Sequence, residues 1–410
     1  MKNKTKIAKI KPAKTKLSTS NAQLEKRKLP FECVALLLQG GGALGAYQGG
    51  VYQALSEAGL EPDWIAGISI GAINAAIIAG NAPEQRVQKL REFWELITKD
   101  YFQYSSSDFK NFMLHNEHKE INRLSAIQSI MFGIEGFFTP NVFLPWLQPD
   151  ASLKAISFYD TKPLKATLEK LIDFDRLNKG NIHFNIGAVN VTSGNFINFD
   201  NRMQTIRPEH ILASGALPPG FPPVEIDGQY YWDGGLVSNT PLQWIIEDAR
   251  KLDMLSFQVD LWSADDNFPR NMAEGLTRRK DILYSSRTRA NTDRFKNFHC
   301  LLNTVACIFE KLPAEFQKLP EVIELTAQAR KVYNIVHLIY HNKSYEGYSK
   351  DIEFSRLSME AHWQSGYNDT VNSLSHPEIL QRPDSKTGIA VYDFSKEARC
   401  KENDNPKNGD

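Results

Sequence analysis

The chain has 410 residues, of which 42% are hydrophobic, enough to bury a large core. A length of this order corresponds to about two or three domains, or to one large α/β domain with an extension. The 48 basic and 48 acidic residues cancel, so the whole molecule has no charge bias toward nucleic acid, and no run reaches the roughly 18 apolar residues of a membrane-spanning helix.

Charge is concentrated at the start. Residues 1–30 carry Lys2, Lys4, Lys6, Lys9, Lys11, Lys14, Lys16, Lys26, Arg27 and Lys28 against Glu25 alone, a net of +9 balanced by −9 in the remainder. With almost no large apolar residues, this segment is expected to be a disordered basic tail. It is either simply solvated or in contact with anionic lipid, where each lysine near the surface adds about 1 kcal/mol. No apolar segment of a secretory signal follows it. CVALLLQ (33–39) then reads as a buried strand stopped by glycines. GGGALG leads into AYQGGVYQALSEAGL, a helix ended by Gly59. WIAGIS (64–69) is a second short apolar run, and IGAINAAIIAGN a helix apolar on nearly all sides, hence buried. Two successive strand–glycine loop–helix units indicate a parallel sheet covered by helices.

Residues 101–160 break this rhythm with many aromatics, densest in MFGIEGFFTPNVFLPWL (131–147). They read as an insertion packed on the domain or as an apolar lid or substrate mouth, and the two are compatible. KPLKATLEKLIDFDRLN (162–178) has the pattern of an amphipathic helix, IHFNIGAVNV (182–191) that of a strand, and NFINFD follows a Ser193-Gly194 turn. The proline-rich stretch 211–235 ends in a short strand before Asp233. PLQWIIEDARKL (241–252) reads as a helix opened by Pro241, and MLSFQVDLW (254–262) as a strand. From about 270 to 341 the pattern is helical and charged, which puts His337 and His341 one turn apart on a helix, and EFSRLSMEAHWQSGYNDTVN adds another helix. The expected organisation is a basic tail (1–30), an α/β domain (31–262), a mostly helical extension (263–375) and a polar, frayed tail (376–410). Cys33, Cys300, Cys307 and Cys400 lack paired spacing, which favours free thiols, a reducing compartment and a cytoplasmic location. Oligomeric state is not legible.

Three stretches carry candidate chemistry. In GISIG (67–71), Gly67 and Gly71 relieve the crowding of a sharp strand-to-helix turn that would hold Ser69 clear of the backbone. The same pattern also fits a plain strand–helix junction. QGGGALG (39–45) is a loop whose backbone N–H groups can meet a developing oxyanion. Gly40, Gly42 and Gly45 also spell a dinucleotide fingerprint, but the acid that fingerprint needs is misplaced, since Asp63 precedes the next strand instead of ending it. The histidines after Ser69, among them His115, His118 and His183, offer no obvious base, and His337 with His341 lacks the adjacent Glu of a zinc hydrolase helix. Asp233 in YYWDGG is the better candidate, with Gly234 and Gly235 leaving room beside it. Burial would raise its pKa toward a useful range. An Asp-Gly-Gly by itself is also a common turn.

In this order the three stretches resemble the patatin-like phospholipase family, over about residues 33–262. The glycine-rich loop matches Gly40–Gly45, the serine elbow Gly67–Gly71 and the Asp-Gly-Gly motif Asp233–Gly235, while ASGALPPGFPPV (213–224) is similar to the Ser/Pro-containing stretch before the family's aspartate. The segment from about 263 to 400 is similar to an extension found on some bacterial members. The resemblance implies a three-layer α/β/α sandwich with a mainly parallel sheet and no metal or organic cofactor. It implies a Ser69–Asp233 dyad without histidine, an oxyanion hole at Gly40, Gly41 and Gly42, and a lipid ester as substrate. Many members carry Arg or Lys just before the last loop glycine. Here that position is Leu44, which leaves the backbone donors unchanged and removes a cation able to orient the loop or a phosphate-bearing head group. Acyl transfer to an acceptor other than water would use the same residues, and a catalytically inactive relative that binds lipid or a partner is the other alternative.

Overall fold

Six apolar residues form strand β1 (Cys33–Leu38), buried on both faces, as a continuous rather than alternating apolar run requires. The computed structural model describes residues 28–98, 118–150, 152–241, 252–343, 345–383 and 388–394. Within them β1 lies near the middle of a nine-stranded sheet. The other strands are β2 (Trp64–Gly67), β3 (His183–Asn190), β4 (Phe196–Asp200), β5 (Val224–Ile226), β6 (Gln229–Asp233), β7 (Met254–Asp260), β8 (Tyr333–Ile339) and β9 (Ile389–Asp393). Their order is β9-β8-β7-β1-β2-β3-β6-β5, with β4 paired to β3. From β9 to β3 all neighbours are parallel, whereas the β3–β4, β3–β6 and β5–β6 pairs are antiparallel.

Helices cover both faces. The principal ones are α1 (Ala46–Glu57), α2 (Ile70–Ala79), α3 (Pro83–Ile97), α4 (His118–Phe132), α5 (Lys162–Leu171), α6 (Phe174–Lys179), α7 (Pro208–Ser214), α8 (Met272–Phe309), α9 (Pro320–Ala329) and α10 (Arg356–Leu374). Val34, Leu36 and Leu38 join a core with Leu55 of α1, Ile77 of α2, Trp94 of α3 and Trp363 of α10. Cys33, Ala35 and Leu37 point the other way, toward a second core with Trp64, Met254, Ile335 and Phe295 of α8. The result is the expected α/β/α arrangement with a mostly parallel sheet and a mostly helical C-terminal region. No helix among the described residues is long and apolar enough to cross a membrane.

The sequence reading needs several corrections. Residues 162–178 form two helices, because the Asp173 side chain accepts the Arg176 N–H at 3.0 Å and caps a new one. His337 is on strand β8, facing Asp260 at 3.3 Å, and shares no helix with His341. Its run YNIVHLI is short and apolar, and such a run joins a strand or a helix according to the partner it finds. The polar tail contains β9, which pairs with β8 in register from Tyr333–Ile389 to His337–Asp393. Its residues IAVYD form a short apolar run inside the polar stretch, and the sheet edge gives that run a partner. His118 is the first described residue of α4. The helix expected at 241–252 falls on residues 242–251, which lie outside the described residues, as do residues 1–27 of the basic tail, His115 and Cys400.

The described part of the insertion both packs on the domain and exposes apolar groups. Ile134, Phe137 and Phe138 are buried, with Phe138 against Phe221 and Tyr159, and Phe137 against Phe354. Beyond them Val142 (92% exposed), Phe143, Trp146 (69%) and Leu147 face outward.

Helices α1 and α10 approach backbone to backbone. A Cβ on Gly50 would collide with the Trp363 carbonyl, and one on Gly366 with that of Tyr47. Gly50→Ala should therefore destabilise the chain by about 2 kcal/mol or more, through overpacking against rigid backbone. Gly275→Ala, in the first turn of α8 with nothing within 4 Å, should be neutral or stabilising by about 0.5–1 kcal/mol. Denaturant midpoints of the two variants would check the contrast.

Candidate active site

The site begins where β2 ends. Ile68 N–H donates to the Leu38 carbonyl at 3.1 Å, extending the pairing with β1 by one residue, and α2 starts at Ile70. Ser69 must turn the chain between them. It does so with φ 56° and ψ −124°, a backbone conformation unfavourable for a residue with a Cβ. The flanking glycines make the turn sterically feasible. A Cβ on Gly67 would collide with the Gly71 carbonyl, and one on Gly71 with that of Leu38. The Ser69 N–H is held by Ser214 Oγ of α7 at 3.1 Å, and the Ser69 carbonyl accepts from Ala72 N–H at 2.9 Å. The side chain is thereby left half-buried at the helix N-terminus.

Sheet register brings Asp233 to it. Strand β3 pairs with β2 through residues 183–186 and with β6 through 188–190, while β4 occupies 185–189. Because β4 overlaps both stretches, β2 and β6 share the opposite edge of β3 and meet end to end. Gly67 pairs with Ile186 and Asp233 with Ala188, so the last residue of β6 stands two rungs beyond the last residue of β2. The Ser69 hydroxyl is close enough to the Asp233 carboxylate to pull its pKa down, and the carboxylate accepts Gly235 N–H at 2.7 Å. The Asp233 N–H donates to the Ala216 carbonyl at 3.0 Å. Asp233 is 2% exposed. Burial pushes its carboxyl from 3.8 up to about 7, against the downward pull of Ser69 and of the Gly235 N–H. Gly234 has no room for a Cβ, since one would stand 2.6 Å from the Gly187 carbonyl oxygen.

The glycine loop lies against the serine. A Cβ on Gly40 would be 3.0 Å from Ser69 Cβ. The Gly40 carbonyl is held by Asn239 Nδ2 at 3.0 Å and by the Trp262 indole N–H at 2.8 Å. Gly40 N–H makes a long bond of 3.4 Å to the Asn239 carbonyl, and Ala43 N–H donates to the Asp351 carbonyl at 2.8 Å. The N–H groups of Gly41, Gly42 and Ile70 have no acceptor among the described residues. Gly45 packs against Ile70 and Trp94, with no space for a side chain. Leu44, at the position where a cation was noted as missing, is fully buried.

The sequence-derived residues Ser69, Asp233 and the glycines of the three motifs are thus adjacent. Ser214, Asn239, Trp262 and Asp351 were not singled out. Ser214 lies in a stretch already noted, and Asn239 four residues past Gly235, but no local signal marks Trp262 or Asp351. The histidines sit elsewhere: His183 pairs with Asp200 at 2.9 Å, His210 accepts Arg207 N–H at 2.9 Å and His362 pairs with Glu346 at 2.6 Å. Among the described residues no three His, Cys, Asp or Glu side chains gather as a metal site.

A family model described as patatin-like phospholipase matches residues 36–244, just over half of the chain, and one described as patatin phospholipase matches residues 282–386. The chain is 52% identical over 56 residues to lysophospholipase nte1 of Aspergillus terreus and 38% identical over 78 residues to neuropathy target esterase sws of Drosophila sechellia. These segments are 14% and 19% of this chain, and they span only 4% and 5% of those much longer relatives. Among solved structures, VipD from Legionella pneumophila aligns over 93% of this chain and 78% of its own, with 14% identity and a TM-score of 0.39. On the family match across residues 36–244, the chain belongs to the patatin-like phospholipase family.

Proposed function

We propose that this chain is a serine acyl hydrolase acting on lipid esters, with a Ser69–Asp233 dyad. The observation that carries this reading is a strained, half-buried serine placed beside a buried carboxylate whose pKa is raised to about 7. An ordinary aspartate is too weak a base for this task, and one near 7 is well matched to it.

In this mechanism Ser69 Oγ attacks the ester carbonyl carbon and its proton passes to Asp233. The carbonyl oxygen becomes an oxyanion facing the glycine loop, where the open N–H groups of Gly41 and Gly42 are the available donors. Gly40, whose N–H already reaches Asn239, contributes less. The Ile70 N–H, next in sequence to the nucleophile, is a third donor of the kind found in serine elbows. Collapse breaks the ester C–O bond, and the leaving alcohol takes the proton from Asp233. Water then gives its proton to Asp233 and adds to the acyl carbon. The bond between the acyl carbon and Ser69 Oγ breaks, the fatty acid leaves, and Oγ takes its proton back from Asp233. No step calls for a metal or an organic cofactor.

The substrate class rests on the family and on the names of the two relatives, a lysophospholipase and an esterase. Peripheral membrane contact is part of the proposal. The basic segment 1–30 supplies charge, and Val142, Phe143, Trp146 and Leu147 supply exposed apolar groups. These side chains connect to the site through one loop. Phe158, beside Trp146, donates its N–H to the Pro219 carbonyl at 3.1 Å, and Asp233 donates to Ala216 in the same loop.

Four tests follow from this reading. Ser69→Ala and Asp233→Asn should each lower kcat by about three orders of magnitude or more on whichever of a short-chain ester, a lysophospholipid and a diacyl phospholipid the wild type cleaves. Equal rates in all three proteins would remove the dyad. The pH profile of kcat/KM should rise about tenfold per pH unit below pH ~7 and level off above it, because the base must be ionised. Stability should run the opposite way. A carboxyl whose folded pKa is raised stabilises the fold fully below its unfolded value of 3.8 and loses that contribution as pH rises through about 7. Above pH 7 the buried charge costs on the order of a few kcal/mol. Asp233→Asn should therefore raise Tm at pH 8 and much less at pH 5, as scanning calorimetry would show. Finally, deleting residues 1–30 should reduce binding to anionic vesicles at low salt, and unchanged sedimentation with vesicles would remove the tail from the proposal.

A further inference from the structure

We infer that the C-terminal region positions the glycine loop, with Lys280 and Asp351 as positioning residues for the reaction. The inference rests on the hydrolase reading above and goes beyond it by assigning a task to residues outside the three motifs.

Two residues carry the contact to the loop. The Asp351 carbonyl accepts the Ala43 N–H at 2.8 Å, and Gly42, at φ +55°, lies so close that a Cβ would collide with that same carbonyl oxygen. The Trp262 indole N–H holds the Gly40 carbonyl at 2.8 Å. Both are braced from α8. The Asp351 carboxylate meets Lys280 Nζ at 2.5 Å, and the preceding residue, Lys350, meets Asp281 at 2.5 Å. Consecutive residues of α8 thus grip consecutive residues of the 350–351 segment with crossed charges.

The inner pair is almost free of solvent, with side chains 0% and 1% exposed, and Lys350 Nζ also meets Asn342 Oδ1 at 2.5 Å. The ammonium groups of Lys350 and Lys280 lie 4.8 Å and 5.7 Å from the centroid of the Trp262 ring, which also packs against Tyr284 of α8 at 4.9 Å. Tyr284 also offers its carbonyl to Gln39 Nε2 at 3.2 Å, and Gln39 Oε1 in turn accepts Leu261 N–H at 2.6 Å. The loop from Gln39 to Ala43 is therefore framed by α8 and the 350–351 segment.

This frame bears on chemistry because it decides which N–H groups stay open. With Ala43 N–H bound by Asp351, the loop's open donors are Gly41 and Gly42. A displacement of about 1 Å of such donors costs on the order of a hundredfold in rate. Leu44 supplies no charge to the loop, and Lys280 and Lys350 bring cations beside it from a region more than 200 residues away. The outer pair is the one to perturb, since both its side chains are 15% exposed and substitution there strands no fully buried charge.

The test uses the full-length protein with a p-nitrophenyl ester and a fluorophosphonate probe. Lys280→Met and Asp351→Asn should each lower kcat and the rate of Ser69 labelling by about tenfold, with KM held within about twofold. Lys280→Arg, which keeps the pair, should stay within about threefold of wild type, and the double swap Lys280→Asp with Asp351→Lys should recover most of the lost kcat. Circular dichroism on each variant separates misfolding from mispositioning, and Asp351→Asn, nearly isosteric, serves if Lys280→Met does not fold. Wild-type kcat and labelling in both single variants would overturn the inference. So would a loss that the swap fails to restore in a folded protein. A wild type that is not labelled at Ser69 would instead remove the hydrolase reading, and this inference with it.

Discussion

The approach of Ser69 to Asp233 depends on a junction in the sheet. Strands β2 and β6 run in opposite directions along one edge of β3 and meet between Ile186 and Ala188. A parallel strand and an antiparallel strand thus deliver their C-terminal residues to the same place. Neither the serine turn nor the Asp-Gly-Gly turn would face a partner if β6 lay elsewhere. β4, on the other edge of β3, leaves that junction as the place where β6 can dock.

Two unfavourable features are concentrated there: a positive φ at Ser69 and a buried carboxyl at Asp233. Each costs of order 1–3 kcal/mol or more, and each persists because the surroundings over-determine it. Ser214 fixes the serine amide, Ala216 the aspartate amide and Gly235 the carboxylate. Ser214 and Ala216 are two residues apart, so a single turn at the end of α7 locates both Ser69 and Asp233. The loop that continues from it reaches Phe158 and the exposed apolar side chains of the insertion. Geometry around Ser69 and Asp233 and at the outer apolar surface is therefore set by one stretch of chain.

The C-terminal region is part of the same framework and not an appendage. β8 and β9 extend the sheet, α10 packs on α1 through Gly50 and Gly366, and Asp351 touches the glycine loop. The second family match, over residues 282–386, falls on this region. A sheet that continues past β7 gives α8 a face to lie on, which is what brings its Lys280 and Asp281 to residues 350–351.

The sequence by itself determined the elements whose cause is local. Continuous apolar runs made β1, β2 and β7, Gly59 ended α1, and Gly67 and Gly71 permitted the Ser69 turn, because burial period and Cβ sterics act within a few residues. It also named Ser69, Asp233 and the glycine loop as candidates, since the chemistry proposed for them needs particular residue types at particular spacings. What only the tertiary structure decided is whatever depends on a distant partner. β8 and β9 became strands because a sheet edge was there to pair with, so His337 left the helix expected for it. The raised pKa of Asp233 comes from desolvation by the packed chain around it, which no local pattern encodes. Ser214, Trp262 and Asp351 reach the site across 145 to more than 300 residues of chain, and a contact of that range is fixed by the fold as a whole.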